Sequence, residues 1–106
     1  MIETIALSSK QRKLLEKYAQ PLAPVVLIGG AGVTEAVIAQ IKNAIAAQEL
    51  IKVKFNEYKD EKAALTQRIT NSSGAILVRI IGNVAILYHA AKAADKRRFE
   101  KELAHL

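Results

Sequence analysis

Gly82-Asn83 separates two runs rich in aliphatic and β-branched residues, Ala75 to Ile81 and Val84 to Tyr88. A connection that short joins antiparallel strands, and glycine supplies the positive φ that a tight hairpin turn demands. The chain must therefore hold an antiparallel pair toward its C-terminal end. Everything upstream has to be compatible with a sheet that includes this pair.

Upstream, the hydrophobic period switches repeatedly between helical and extended. Ser8-Ser9-Lys10-Gln11 has the spacing of a capping box and predicts a helix starting at Ser8, with Leu14, Leu15, Tyr18 and Ala19 as its buried stripe. Pro21 and Pro24 end that helix, and Val25-Val26-Leu27-Ile28 reads as a strand covered on both faces. The glycines Gly29, Gly30 and Gly32 follow. A second helix then has Thr34 as N-cap, Glu35 in its first turn, Val33 placed to staple onto Ile38, and an apolar face of Val37, Ile38, Ile41, Ala44 and Ile45 running to about Gln48. Ile51-Lys52-Val53-Lys54-Phe55 alternates strictly, which predicts a strand with one face on the core and two lysines on the other. A third helix is predicted from about Asp60, as N-cap, through Ala64, Leu65 and Ile69 to a stop at Gly74. The order α-β-α-β-α-β-β defines an α/β fold with a small mixed four-stranded sheet, in which helical crossovers join parallel neighbours and the hairpin adds an antiparallel strand. Residues 90–106 are alanine-rich and charged, with Phe99, Leu103 and Leu106 at helical spacing, and read as a C-terminal helix. The expected organisation is one domain over residues 1–89 and a charged helical tail over 90–106.

The chemistry open to this chain is narrow. It has no cysteine, which removes disulfides, thiolate catalysis and thiolate metal sites and fits a reducing compartment, so a cytoplasmic location is expected. The stretch MIETIALSSKQRK lacks the pattern of a secretory leader, and no apolar run approaches the roughly 18 residues of a membrane span, so no membrane partner is expected. His89 and His105 are the only histidines, and Glu57, Asp60 and Glu61 read as solvated or capping acids. No catalytic or metal site, cofactor or small-molecule substrate is expected from that inventory.

What the chain does have is positive charge. Sixteen Lys and Arg against ten Asp and Glu give a formal charge of +6, which favours a polyanionic partner. Lys10, Lys13 and Lys17 stand at i, i+3 and i+7 and form one stripe along the first helix, whose only acid is Glu16. Lys52 and Lys54 add two charges to a strand face, although lysines there also serve to block edge pairing. Lys96-Arg97-Arg98 is diluted by Asp95, Glu100 and Glu102 and reads as a solvated helix. Gly29-Gly30-Ala31-Gly32 lacks the lysine and hydroxyl of a P-loop, and a G-x-G-x-x-G register would need glycine at Glu35. The remaining G-x-x-G pattern suits both a plain turn and a loop that lets a polynucleotide backbone approach a helix N-terminus. Five aromatic residues in all speak against an aromatic platform for bases.

Taken in order, SSKQRKLL, PLAPVVLIGGAGVTE, ELIKVKF and the final G-x-x-x-x-L-Y from Gly82 to Tyr88 resemble the CRM domain (chloroplast RNA splicing and ribosome maturation) over residues 8–88, in particular its bacterial single-domain, YhbY-type members. The resemblance implies an RNA-binding α/β domain related in fold to the C-terminal domain of bacterial translation initiation factor three. It also implies association with ribosomal RNA in precursors of the large ribosomal subunit, while plant relatives act in intron splicing. The family's loop maps onto Gly29, Gly30, Ala31 and Gly32, and its basic first helix onto Lys10, Arg12, Lys13 and Lys17. The family often has a polar or basic residue inside the loop, where this chain has Gly30 and Ala31, which shifts the expected contact toward helix one and backbone N–H groups. The expected function is therefore non-enzymatic RNA binding in ribosome assembly, carried by those residues with Thr34, Lys52 and Lys54. A protein-binding adaptor using the C-terminal helix and a general RNA chaperone are the alternatives.

Overall fold

A computed structural model describes residues 7–106; residues 1–6, part of the N-terminal stretch read above for a leader, lie outside the described residues. The elements are α1 (Ser9–Ala19), β1 (Val26–Ile28), α2 (Glu35–Gln48), β2 (Leu50–Phe55), α3 (Lys62–Ser73), β3 (Ile76–Ile81), β4 (Val84–Tyr88) and α4 (Glu100–Ala104). The predicted α/β class and element order are those observed. Within the described residues no helix is long and apolar enough to cross a membrane.

Local signals act where the sequence places them. Ser8 accepts from the Gln11 N–H at 3.1 Å while its own N–H donates to Gln11 Oε1 at 2.9 Å, closing the capping box. Thr34 Oγ1 accepts from the Val37 N–H at 3.1 Å and starts α2. Gly74 ends α3 at φ +78°, and Gly82 turns the hairpin at φ +59°, both in the left-handed region that glycine enters without a Cβ penalty. The start of α3 differs from the expected one. Asp60 sits within a 3-10 turn, Lys59–Glu61, entered through a left-handed Tyr58, and no side chain caps α3.

The sheet order is β1-β2-β4-β3, with β1 parallel to β2 and β4 antiparallel to both its neighbours. Thus β2 and β3, joined through α3, run the same way without touching, because β4 is inserted between them. The simple expectation of parallel neighbours across each helix fails here for a physical reason. VAILY carries no charge and buries Ala85, Ile86, Leu87 and Tyr88, whereas β3 carries Arg79; the more apolar strand takes the position covered on both faces. At the opposite edge, β1 is not covered on both faces as predicted: Val26 and Ile28 are buried but Leu27 is 57 % exposed.

Helices cover both sides of the sheet. On one side α2 and α3 enclose Val26, Ile28, Ile41, Ile45, Ile51, Val53, Phe55, Ile69, Ala85 and Leu87. On the other side α1 and α4 pack Leu15, Ala19 and Leu103 against Leu50, Val78, Ile86 and Tyr88. The buried stripe of α1 is Leu15 and Ala19; Tyr18 stands at its margin, its ring 5.3 Å from that of Phe99. The Tyr18 hydroxyl donates to the Glu102 carboxylate at 2.6 Å, which holds the phenol above the usual tyrosine pKa. In α3 the buried positions are Thr66 and Ile69, whereas Ala64 is exposed.

The C-terminal segment is shorter in helix than its spacing suggests. A 3-10 turn, Ala94–Lys96, precedes the five-residue α4, which turns Phe99 and Leu103 inward and leaves Leu106 exposed. Its attachment centres on Glu49, a buried carboxylate at the C-cap of α2 with φ +63°. Glu49 Oε2 accepts from the Ala91 N–H at 2.9 Å and Oε1 from the Arg98 N–H at 2.7 Å. At the other end Gln11 Nε2 donates to the Leu103 carbonyl at 3.1 Å.

Thr66 contrasts with Glu49. Its hydroxyl is fully buried and has no hydrogen-bond partner among the described residues. A desolvated, unpaired hydroxyl costs stability, and valine has nearly the same shape without the polar atom. Thr66→Val is expected to raise unfolding stability by about 1 kcal/mol, read from urea denaturation; a destabilised variant would mean that the hydroxyl has a partner, such as a buried water.

Candidate nucleic-acid interface

The glycine loop leaves the C-terminal end of β1 and enters α2. Its turn is closed by the Gly32 N–H donating to the Gly29 carbonyl at 3.0 Å, with Gly32 at φ +73°. Gly29, Gly30 and Ala31 are exposed, and a Cβ added at Gly29 or Gly30 would meet nothing within 4 Å, so the backbone is bare to an approaching ligand. Thr34 uses its hydroxyl on Val37, and by helix geometry the N–H groups of Glu35 and Ala36 face the loop without an intrahelical acceptor.

Sequence reasoning missed the residue that shapes this loop. Tyr58, in the left-handed region at φ +56°, donates its hydroxyl to the Gly30 carbonyl at 2.7 Å, and its ring lies 3.4 Å from where a Gly32 Cβ would stand. The signal for it in the sequence is small: an aromatic residue preceded by Asn56-Glu57, in a loop too short to hide it. Tyr58 shares a depression with Gly30, Glu57, Lys59, Asp60 and Glu61, so acids outnumber bases on that flank of the loop. The positive charge lies elsewhere, on the α1 side of the sheet.

On that side an open groove of about 560 Å³ runs between α1 and the sheet, lined by Lys13, Glu16, Lys17 and Gln20 of α1 and by Lys52, Arg79, Ile81, Val84 and Ile86. Lys10 and Arg12 are exposed on α1 but lie outside this lining. Lys52 is engaged structurally, since its ammonium donates to the carbonyls of Gln20 at 3.2 Å and Leu22 at 3.0 Å, ending α1 and fixing the following turn. Lys54 is exposed and has no ion-pair partner among the described residues.

Arg79 was not foreseen as part of the site. Strand alternation counted from Leu77 would turn it into the α2–α3 core, but the register slips between Leu77 and Arg79, so that Leu77 faces Leu87 while Arg79 faces Ile86. This irregularity at Val78 re-aims Arg79, and after it Ile81, onto the α1 side. There Arg79 Nη1 meets Glu16 Oε1 at 3.2 Å with most of its side chain still exposed. Glu16, the one acid of α1, is thereby matched, and Lys13 and Lys17 remain as uncompensated charge on the helix wall.

The loop and the groove do not share a wall. They are connected by one cross-strand row on the same side of the sheet, in which Leu27 pairs with Lys54, Lys54 with Val84, and Val84 with Ile81. Among the described residues no group of three or more His, Cys, Asp or Glu is arranged to hold a metal ion.

This fold has known counterparts. The solution structure of the Staphylococcus aureus protein SAV1595, described there as a candidate RNA-binding protein, superposes with a TM-score of 0.72 at 29% identity, covering 88% of this chain and 98% of that one. An RNA-binding protein of Haemophilus influenzae is 39% identical over 89 residues, 83% of this chain and 90% of the relative. The Bacillus subtilis probable RNA-binding protein YqeI is 34% identical over 87 residues, 81% of this chain and 91% of the relative. Residues 7–89 match the CRS1 / YhbY (CRM) domain, and the chain belongs to that family.

Proposed function

We propose that this chain is a non-enzymatic RNA-binding protein of the cytoplasm that attaches to ribosomal RNA in precursors of the large ribosomal subunit and assists their assembly. The observation that carries the RNA reading is the convergence of Lys13, Lys17, Lys52 and Arg79 on one groove whose single acid, Glu16, is already paired. The RNA-binding relatives in Haemophilus influenzae and Bacillus subtilis support it. Phosphates would meet Lys10, Arg12, Lys13, Lys17, Lys54 and Arg79, with a further contact at the bare backbone of Gly29, Gly30, Ala31 and Gly32 ahead of Thr34. Lys52 contributes mainly by holding α1 in place. An adaptor role for α4 has less to work with, because Phe99 and Leu103 already pack inward.

Phosphate neutralisation releases counterions, so three to five of these contacts made at once would make log K fall against log salt with a slope of roughly −2 to −4. Replacing Lys10, Lys13 and Lys17 together by Gln is expected to flatten that slope while barely moving the melting temperature, since exposed charges contribute little to folding. A salt-independent affinity would remove the electrostatic reading. For the assembly role, the protein is expected to migrate with immature large-subunit particles in a gradient of cell extract and to leave them as salt rises. Wild-type protein found only in the free fraction, with such particles present at low salt, would reject that role.

A further inference from the structure

The α1 side of the sheet is covered over only part of its length. Leu50, Tyr88 and Ile76 form one cross-strand row beneath α1 and α4, and Lys52, Ile86 and Arg79 the next, at the groove. The last row, Leu27, Lys54, Val84 and Ile81, meets the groove at Val84 and Ile81 and runs from there to Leu27 at the β1 edge. Its ends are the two most exposed aliphatic side chains of the sheet, Leu27 at 57 % and Ile81 at 51 %. Both ends of one row are thus bare, with a lysine between them, at the end of the sheet that carries the glycine loop.

We infer that this row is a docking surface for unpaired RNA nucleotides, resting on the RNA-binding reading above. The row spans three strand spacings, about 14 Å, from the glycine loop's strand to the basic groove. Aliphatic side chains offer a flat apolar contact to a base without reading its edges, and the neighbouring Lys54, Arg79, Lys13 and Lys17 supply the positive charge that its phosphates require. Charge complementarity selects RNA over an apolar protein partner. In a paired A-form helix the bases are stacked inside and reach no such surface, so the row selects unpaired segments.

The test compares one single-stranded RNA with a duplex of equal charge, using wild type and the double variant Leu27→Thr/Ile81→Thr. Threonine keeps the strand preference while removing most of the apolar area, and circular dichroism and thermal melting establish that the variant is folded. Wild type is expected to prefer the single strand, and the variant to lose about fivefold in affinity for it with an unchanged salt slope and a smaller loss for the duplex. Undiminished single-strand affinity in the folded variant overturns the inference and leaves the electrostatic RNA reading standing. Wild type that binds neither RNA overturns both. A dimer in sedimentation equilibrium that the double variant dissolves would assign the row to a second copy of the chain instead, and so also overturn the inference.

Discussion

Gly32→Glu is expected to weaken RNA binding by about tenfold, since a favourable anion contact at a helix N-terminus is worth up to ~2 kcal/mol and the new carboxylate both blocks and repels it. The substitution acts through two separable effects. At φ +73° any side chain incurs backbone strain, while its Cβ would only touch the Tyr58 ring at 3.4 Å; the strain amounts to about 1–2 kcal/mol of stability. Gly32→Ala shares that strain but adds no charge, so the ratio of the two affinities isolates the electrostatic part. Ala31→Ser, at an exposed position of the same loop, should bind as wild type does. The measurement is a titration at fixed low salt with variants shown to be folded. Equal affinity for wild type and Gly32→Glu would reduce the loop to a connection.

Glu49→Ala is expected to cost about 3 kcal/mol of unfolding stability, because hydrogen bonds to a charged group are worth ~1.5–3 kcal/mol and two are lost at once. The carboxylate is 2 % exposed and bonds the backbone of Ala91 and of Arg98, so its removal frees both ends of the segment that leads into α4. Alanine is no better suited than glutamate to φ +63°, so no relief of strain offsets the loss. Urea denaturation measures the total, and hydrogen exchange at the Ala91 and Arg98 amides shows where it arises. Glu49→Gln, which keeps one acceptor oxygen, should lose about half as much. A loss under about 1 kcal/mol for Glu49→Ala would mean that packing of Phe99 and Leu103, not the carboxylate, holds the segment.

How legible these features were depends on how local their causes are. The Ser8 capping box, Thr34, Gly74 and Gly82 are each determined within about one turn of chain, and all four stand where the sequence puts them. The lysine stripe of α1 is legible for the same reason, since helical spacing alone fixes its side. The features that escaped are decided across distance. Nothing within VAILY states that it will lie between β2 and β3; that follows from which strand can best be covered on both faces. Arg79 reaches the groove only because the pairing with β4 slips at Val78. Tyr58 meets the glycine loop across the end of the sheet, and Glu49 holds backbone 42 and 49 residues further along the chain. Lys52 reads as surface charge, yet the end of α1 draws its ammonium into structural use.

The place of β4 has a consequence for the time at which the chain can fold. Of the three strand pairings in the sheet, two involve β4, the last strand to be synthesised, and β3 has no other neighbour. A growing chain that stops short of Val84 can form only the β1–β2 pair, leaving one edge of β2 and both edges of β3 open. Pairings between strands distant in sequence also bear the full entropy of closing the chain between them, so they form late. The nascent protein therefore carries unpaired strand edges until Tyr88 has left the ribosome, and the time it spends in that aggregation-prone state depends on the rate of translation.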